Sequence, residues 1–248
     1  LVSGVTDWLS GTASGIAIVT GIAVATRFGI KRWRRRPAQQ RLDQAEILDR
    51  LALRRPIETI ESTLGTPHLI TPQYAAGDEW IEERVYRLAG AWVTVQAPKG
   101  VVETYSITIT DADLYYDTDS ATLGIIKVRL GRDTFADAPT LGSCEAFQVY
   151  AHTATFVRYY DYGSNAAGGQ HLWLAFNPGG AGTFGGNRYA TGAYVAFEGG
   201  AAGEGQIGEC PDLSAITVNT ITVSDYGPRD RMLKRGVHGP HPDTIRRG

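Results

Sequence analysis

Hydrophobic and polar positions follow three rhythms along this chain. From Trp8 to Thr26 there is no charge, and at about 1.5 Å per helical residue the run spans roughly 28 Å, close to a bilayer's hydrocarbon core. From Leu42 to Leu64 apolar residues recur with helical spacing: Leu42, Ala45, Leu48, Leu51 and Ala52, then Ile57, Ile60 and Leu64. From Trp80 onward the pattern shortens to the alternation of strands.

The uncharged run predicts a single transmembrane helix within residues 1–30, with Trp8 and Trp33 at its two ends. A secretory signal is the rival, but signals carry basic residues before the apolar run, whereas here Arg27, Lys31, Arg32, Arg34, Arg35 and Arg36 follow it. That flank, a basic linker over 31–41, predicts an outside N-terminus and a cytoplasmic C-terminal domain at the plasma (inner) membrane. Ala13, Ala17, Gly21 and Ala25 fall on one helix face, a candidate for self-association. Leu1 in place of Met points to an unusual start codon or to preceding residues.

Over residues 42–110 the pattern predicts a helical hairpin, with Arg54 and Arg55 in the last turn of the first helix. Pro56 opens the second helix and Gly65 ends it. Runs at 80–88, 91–97 and 101–110, the last two separated by Pro98–Gly100, predict an antiparallel meander packed on that hairpin. Residues 111–227 are poor in helix signal. Strands are predicted at 125–130, 145–152, 155–160, 171–176, 194–198 and 215–223, with a short helix at 132–138 and Gly-rich loops at 165–169, 177–187 and 198–206. Residues 228–248 read as a basic disordered tail. The expected fold class is therefore α+β: a transmembrane helix, a helical hairpin on a meander, then a β-rich half.

Charge is segregated. Of 24 basic and 26 acidic side chains, seven basic fall in 27–41, and six basic with two acidic fall in 228–248. With Asp7 set aside, residues 42–227 keep 11 basic and 23 acidic, a net of −12. The basic flank suits anionic lipid headgroups. The tail lacks aromatics for base stacking, which argues against nucleic acid. Cys144 and Cys210 are the only cysteines, reduced in a cytoplasmic domain and free to pair outside it.

One resemblance is carried by LeuAlaLeuArgArgProIleGluThrIleGluSerThrLeuGlyThrPro (51–67), TyrArgLeuAlaGlyAlaTrpValThrVal (86–95) and GlyValValGluThrTyrSerIleThr (100–108). This stretch resembles the small helix–helix–meander domains of the SmpA/OmlA (BamE-like) type. It is also similar to a family of membrane-anchored bacterial domains without an assigned activity. The resemblance implies a non-catalytic scaffold. The chain lacks the N-terminal lipid-bearing cysteine of BamE-like lipoproteins.

Candidate chemistry is sparse. GlyGluGlyGlnIleGly (203–208) matches a dinucleotide fingerprint in letters only, because no strand–helix context surrounds it. Asp111, Asp113, Asp117 and Asp119 miss the spacing of a calcium loop and read as a solvated turn. His238 and His241 lack a third metal ligand. Cys144 with His152 or His171 is the only nucleophile–base pairing to weigh, and no local motif supports it. The aromatics Tyr159, Tyr160, Tyr162, Trp173, Phe176, Phe184, Tyr189, Tyr194 and Phe197 read mainly as strand core. No catalytic, cofactor or metal residue is assigned. The expectation is a single-pass membrane protein with a non-catalytic binding or scaffold domain and a protein partner. The alternatives are an extracytoplasmic envelope-binding domain with a Cys144–Cys210 disulfide, and an enzyme with an unrecognised site.

Overall fold

The computed structural model describes residues 39–74, 80–140, 143–149, 154–162, 170–185, 192–197, 212–225 and 238–248. All but Gln39 and Gln40 of these belong to one compact unit, Arg41–Gly248. Its helices are α1 (residues 39–49), α2 (Ile57–Leu64) and α3 (Pro242–Arg247). The strands are β1 (Leu69–Tyr74), β2 (Trp80–Leu88), β3 (Ala91–Gln96), β4 (Thr104–Ile109), β5 (Tyr116–Asp117) and β6 (Arg129–Leu130), followed by β7 (Ser143–Val149), β8 (Ala154–Tyr162), β9 (Gln170–Phe176), β10 (Gly192–Phe197) and β11 (Thr220–Ser224). Nine of them form one antiparallel sheet in the order β1-β2-β3-β4-β11-β9-β8-β7-β10, while β5 and β6 pair with each other.

The strand that joins the two halves is β11. It pairs with β4 on one side and β9 on the other, so Ile221 stands opposite both Ile107 and Leu174. Period-two alternation sends Ile221 and Val223 to one face and Thr220, Thr222 and Ser224 to the other. Val93, Ile107, Ile221 and Leu174 line up across four strands and are wholly buried. Burial of each such side chain stabilises the fold by roughly 1.5–3 kcal/mol. Leu48, Leu51, Ile57 and Ile60 from the helical segment cover this face, together with Leu114, Tyr116, Ile126, Val128, Leu130 and Phe135 from the long connection between β4 and β7.

The same row continues into a charge. Arg158 stands opposite Leu174 on one side and Glu145 on the other, and is fully buried. Its Nε donates to Glu145 Oε1 at 2.6 Å, and its Nη1 donates to the carbonyls of Phe135 (2.8 Å) and Ala138 (2.9 Å). The guanidinium also lies over the Phe135 ring at 5.5 Å. A single side chain thus ties the covering connection to the sheet.

The α+β expectation is corrected: the fold is mostly antiparallel sheet with few helices, and the meander and the β-rich half are parts of one sheet. Among the described residues no helix is long and apolar enough to cross a membrane, so the expected transmembrane helix is not supported. Residues 1–30, including the Ala13, Ala17, Gly21 and Ala25 face, lie outside the described residues, as does the linker up to residue 38.

The helical hairpin is shorter than its pattern. α1 ends at residue 49, because Arg54 takes a positive φ of 61° and residues 54–56 run beside 101–102. There Arg54 N–H donates to Val102 O at 2.8 Å, and Val102 N–H donates to Arg55 O at 2.9 Å. Backbone pairing wins over helix propensity. The strand expected at 125–130 shrinks to β6 for a related reason. The hydroxyls of Thr118 and Thr122 accept from Val128 N–H (3.1 Å) and Ile126 N–H (3.0 Å), serving amides that a ladder would otherwise take. The segment expected to be a helix at 132–138 is a run of turns, in which Asp137 accepts from Thr134 N–H and holds its own carboxyl below the usual range. β1 carries Pro72 at the sheet edge, where a missing N–H is tolerated.

Candidate functional site

The second face of the sheet carries cross-strand hydroxyl pairs among buried apolar side chains such as Trp92, Val157 and Trp173. Thr94 pairs with Ser106, Thr108 with Thr220 (2.8 Å) and Thr104 with Ser224 (2.6 Å), each pair bridging neighbouring strands. Thr94, Ser106, Thr108, Thr220 and Ser224 are all buried. Buried hydroxyls are stable only when paired, which is what the cross-strand register provides.

The C-terminal segment 238–248 lies on this face. Residues 238–248, expected to continue a disordered tail, form a Gly-Pro turn followed by α3. Pro242 opens the helix, His241 Nδ1 accepts from Asp243 N–H at 3.3 Å, and Arg246 and Arg247 occupy the last turn. These charges suit the helix dipole at both ends.

Asn177, directly after β9, holds the turn. Its Nδ2 donates to His238 O at 2.6 Å and to Pro240 O at 2.8 Å. Its Oδ1 accepts from Gly179 N–H at 2.8 Å, while its backbone is clamped by Asn219, which accepts from Asn177 N–H (2.7 Å) and donates to Asn177 O (2.8 Å). Both asparagines are buried. The carboxamide is therefore preoriented toward the two carbonyls of the segment.

Glycines set the closeness of the fit. Gly239 has a φ of +77°, and a Cβ there would overlap Thr108. A Cβ on Gly179 would come within 2.9 Å of Ile245 Cδ1, and one on Gly248 within 2.5 Å of the Trp92 ring. Trp92 is the floor: His68 meets it edge-on with centroids 5.2 Å apart, and Arg87 lies over it at 6.0 Å. Two clefts border α3. One of about 470 Å³ is lined by Arg87, Leu88, Gly90, Trp92 and Ile245; the other, of about 410 Å³, by His68, Leu69, His241, Asp243 and Arg247.

His238 keeps part of its surface exposed, yet its Nδ1 is buried without a hydrogen-bond partner among the described residues. Burial alone pushes its pKa down to about 4, so the imidazole is neutral at pH 7.

The residues singled out in the sequence fall elsewhere. Asp111 accepts from Asp113 N–H (2.9 Å) and from Arg41 Nη2 (3.3 Å); Asp117 accepts from Asp119 N–H (3.1 Å); Asp119 faces Lys127 at 3.5 Å. These carboxylates cap turns and form surface ion pairs. Cys144 pairs through its backbone with Tyr159 on β8, and His171 lies on β9. Their strands lie two spacings apart, about 10 Å, and His171 is set two residues further along, opposite Asp161 rather than Tyr159. His171 Nδ1 instead bonds Tyr159 OH at 2.6 Å. His152, Cys210, Tyr189 and the 203–208 run lie outside the described residues, as do the side chains of Cys144, Tyr162, Tyr194 and Phe197. Tyr159, Tyr160, Trp173 and Phe176 are buried. Of the two histidines weighed as metal ligands, His238 contributes its carbonyl and His241 caps α3.

The groove residues Asn177, Trp92 and Gly179 escaped the sequence reading. Asn-Pro-Gly-Gly at 177–180 reads as a turn, and nothing local shows that its asparagine reaches residues 61 and 63 positions away. No family model, curated protein or solved structure matches the chain.

Proposed function

We propose that this chain is a non-catalytic polypeptide-binding module whose recognition site is the groove around Trp92 and Asn177. The observation that carries the reading is the bidentate use of Asn177, whose buried carboxamide donates to two carbonyls of the segment seated there. Recognition through main-chain carbonyls and close glycine contacts suits a peptide rather than a small metabolite. The scaffold role implied by the BamE-like resemblance agrees with this reading.

The test uses the full chain carrying Gly239→Val, whose own segment cannot reseat while the groove keeps its native residues. A fluorescent peptide of residues 238–248 should bind it one to one with a micromolar to millimolar Kd, about −4 to −8 kcal/mol. Asn177→Asp, which keeps the acceptor for Gly179 N–H and removes both donors, should weaken binding roughly 10-fold or more. No binding by a Gly239→Val chain that retains sheet amide protection would overturn the proposal.

A further inference from the structure

We infer that the 238–248 segment is an autoinhibitory latch: seated on its own chain it closes the groove, and another polypeptide is taken up only when the segment leaves. The inference rests on the groove reading above and adds the regulation of that site.

Occupancy by the segment and by another polypeptide is mutually exclusive at the level of single atoms. A carboxamide nitrogen carries two hydrogens, and Asn177 Nδ2 commits both to the carbonyls of His238 and Pro240. The space is filled as well. Gly239 and Pro240 are buried, and Gly239 lies so close to Thr108 that even a Cβ would overlap its hydroxyl. At the far end of the segment, Gly248 rests against the Trp92 ring. While the segment is seated, the groove offers an incoming chain neither donors nor room.

The groove is built to stand without its occupant. Asn219 clamps the Asn177 backbone and Gly179 N–H holds its Oδ1, so the carboxamide keeps its aim with no help from the segment. Beneath Gly239, Thr108 and Thr220 bond each other, and Thr220 donates to Asn219 Oδ1 at 3.2 Å. Departure of the segment leaves these hydroxyls paired and frees the two Asn177 donors, which two carbonyls of another chain can satisfy. The occupant is also lightly held. Among the described residues, the hydrogen bonds joining the segment to the sheet side are the two from Asn177. α3 has six residues and buries no side chain, and a helix this short has no stability of its own. Its internal ion pairs are long and exposed, His241–Asp243 at 3.7 Å and Arg246–Asp243 at 3.9 Å. A preformed groove under a weakly held cover is the arrangement a displaceable latch requires.

The test compares two full-length chains, native and Gly239→Val, with the fluorescent 238–248 peptide as probe. A groove that is open only part of the time shows an apparent Kd raised by the inverse of its open fraction, so the native chain should bind at least about 10-fold more weakly than Gly239→Val. Equal affinities overturn the latch and leave the groove reading standing. No binding by a Gly239→Val chain that retains sheet amide protection overturns both. A second measurement needs no variant and serves if Gly239→Val fails to fold. Excess unlabelled peptide is added to the isotope-labelled native chain, whose own amides are followed by NMR. Protection over its own 239–248 amides should fall, while β4 and β11 keep theirs. Peptide that binds while the chain's own segment stays protected overturns the latch, because the two would then occupy different places.

Discussion

The two faces of the nine-stranded sheet are built on different principles. One is closed by aliphatic rows under α1, α2 and the 112–138 connection, and the other sets paired hydroxyls among buried Trp92, Val157 and Trp173, with the C-terminal segment resting on it. Apolar burial is non-directional and tolerates any well-packed neighbour. Hydroxyl and carboxamide pairing is directional and accepts only a partner with matching donors and acceptors. Both faces therefore bury apolar surface, and the second adds directional contacts that select what rests on it. Arg158 is the exception that ties the two themes together, a directional group placed within the apolar row.

The largest expected effect is at that exception. Arg158→Ala should lower unfolding stability by about 3–5 kcal/mol, because Glu145 and two carbonyls lose their buried partner. Replacing the pair together, Arg158→Met with Glu145→Leu, should recover only part of it in urea titrations, because the Phe135 and Ala138 carbonyls still lack their donor. A small loss in the single variant would show that the ion pair does not hold the connection in place. Next comes a pair of neighbours on β4. Ile107→Ala should cost about 2–5 kcal/mol, and Ser106→Ala, on the opposite face, about 1 kcal/mol. Equal losses would erase the distinction between the faces.

The seat responds to pH where the apolar face does not. With His238 held near 4 in the seat and an ordinary histidine value of 6.5 when released, the free segment binds the proton better. The seat should be at full strength above about pH 6.5 and weaken as pH falls toward 4. The amide protection factor over 239–248, taken relative to the intrinsic exchange rate at each pH, should fall on the order of 10-fold by pH 5, while β4 and β11 keep theirs. An unchanged protection factor would remove His238 from the seat's energetics. The smallest effect is expected at the acidic turn, where Asp111→Ala breaks a half-exposed pairing with Arg41 and should cost within about 1 kcal/mol.

Strands β2, β3, β4, β8 and β9 were legible as short runs rich in β-branched and aromatic residues, and β3, β4, β8 and β9 prove largely buried on both faces. β1 was not, since Pro72 and the exposed Leu69 and Ile70 lack that pattern. The helix over 42–55 was overextended because its spacing holds to Ala52, while the pairing of Arg54 and Arg55 with Val102 is invisible locally. The groove was illegible for the same reason at longer range. His-Gly-Pro-His-Pro looks like any polar tail until Asn177 is brought beneath it.

The sequence by itself determined the local rules: which residues alternate and where Gly65 stops a helix. Only the tertiary structure decided that β11 returns to the centre of the sheet, and that a six-residue helix with no buried side chain has a place to dock. The physical reason is range. Periodicity and turn chemistry act over a few residues, whereas the seat is made by hydrogen bonds between groups more than sixty positions apart, whose partners are set by register across strands.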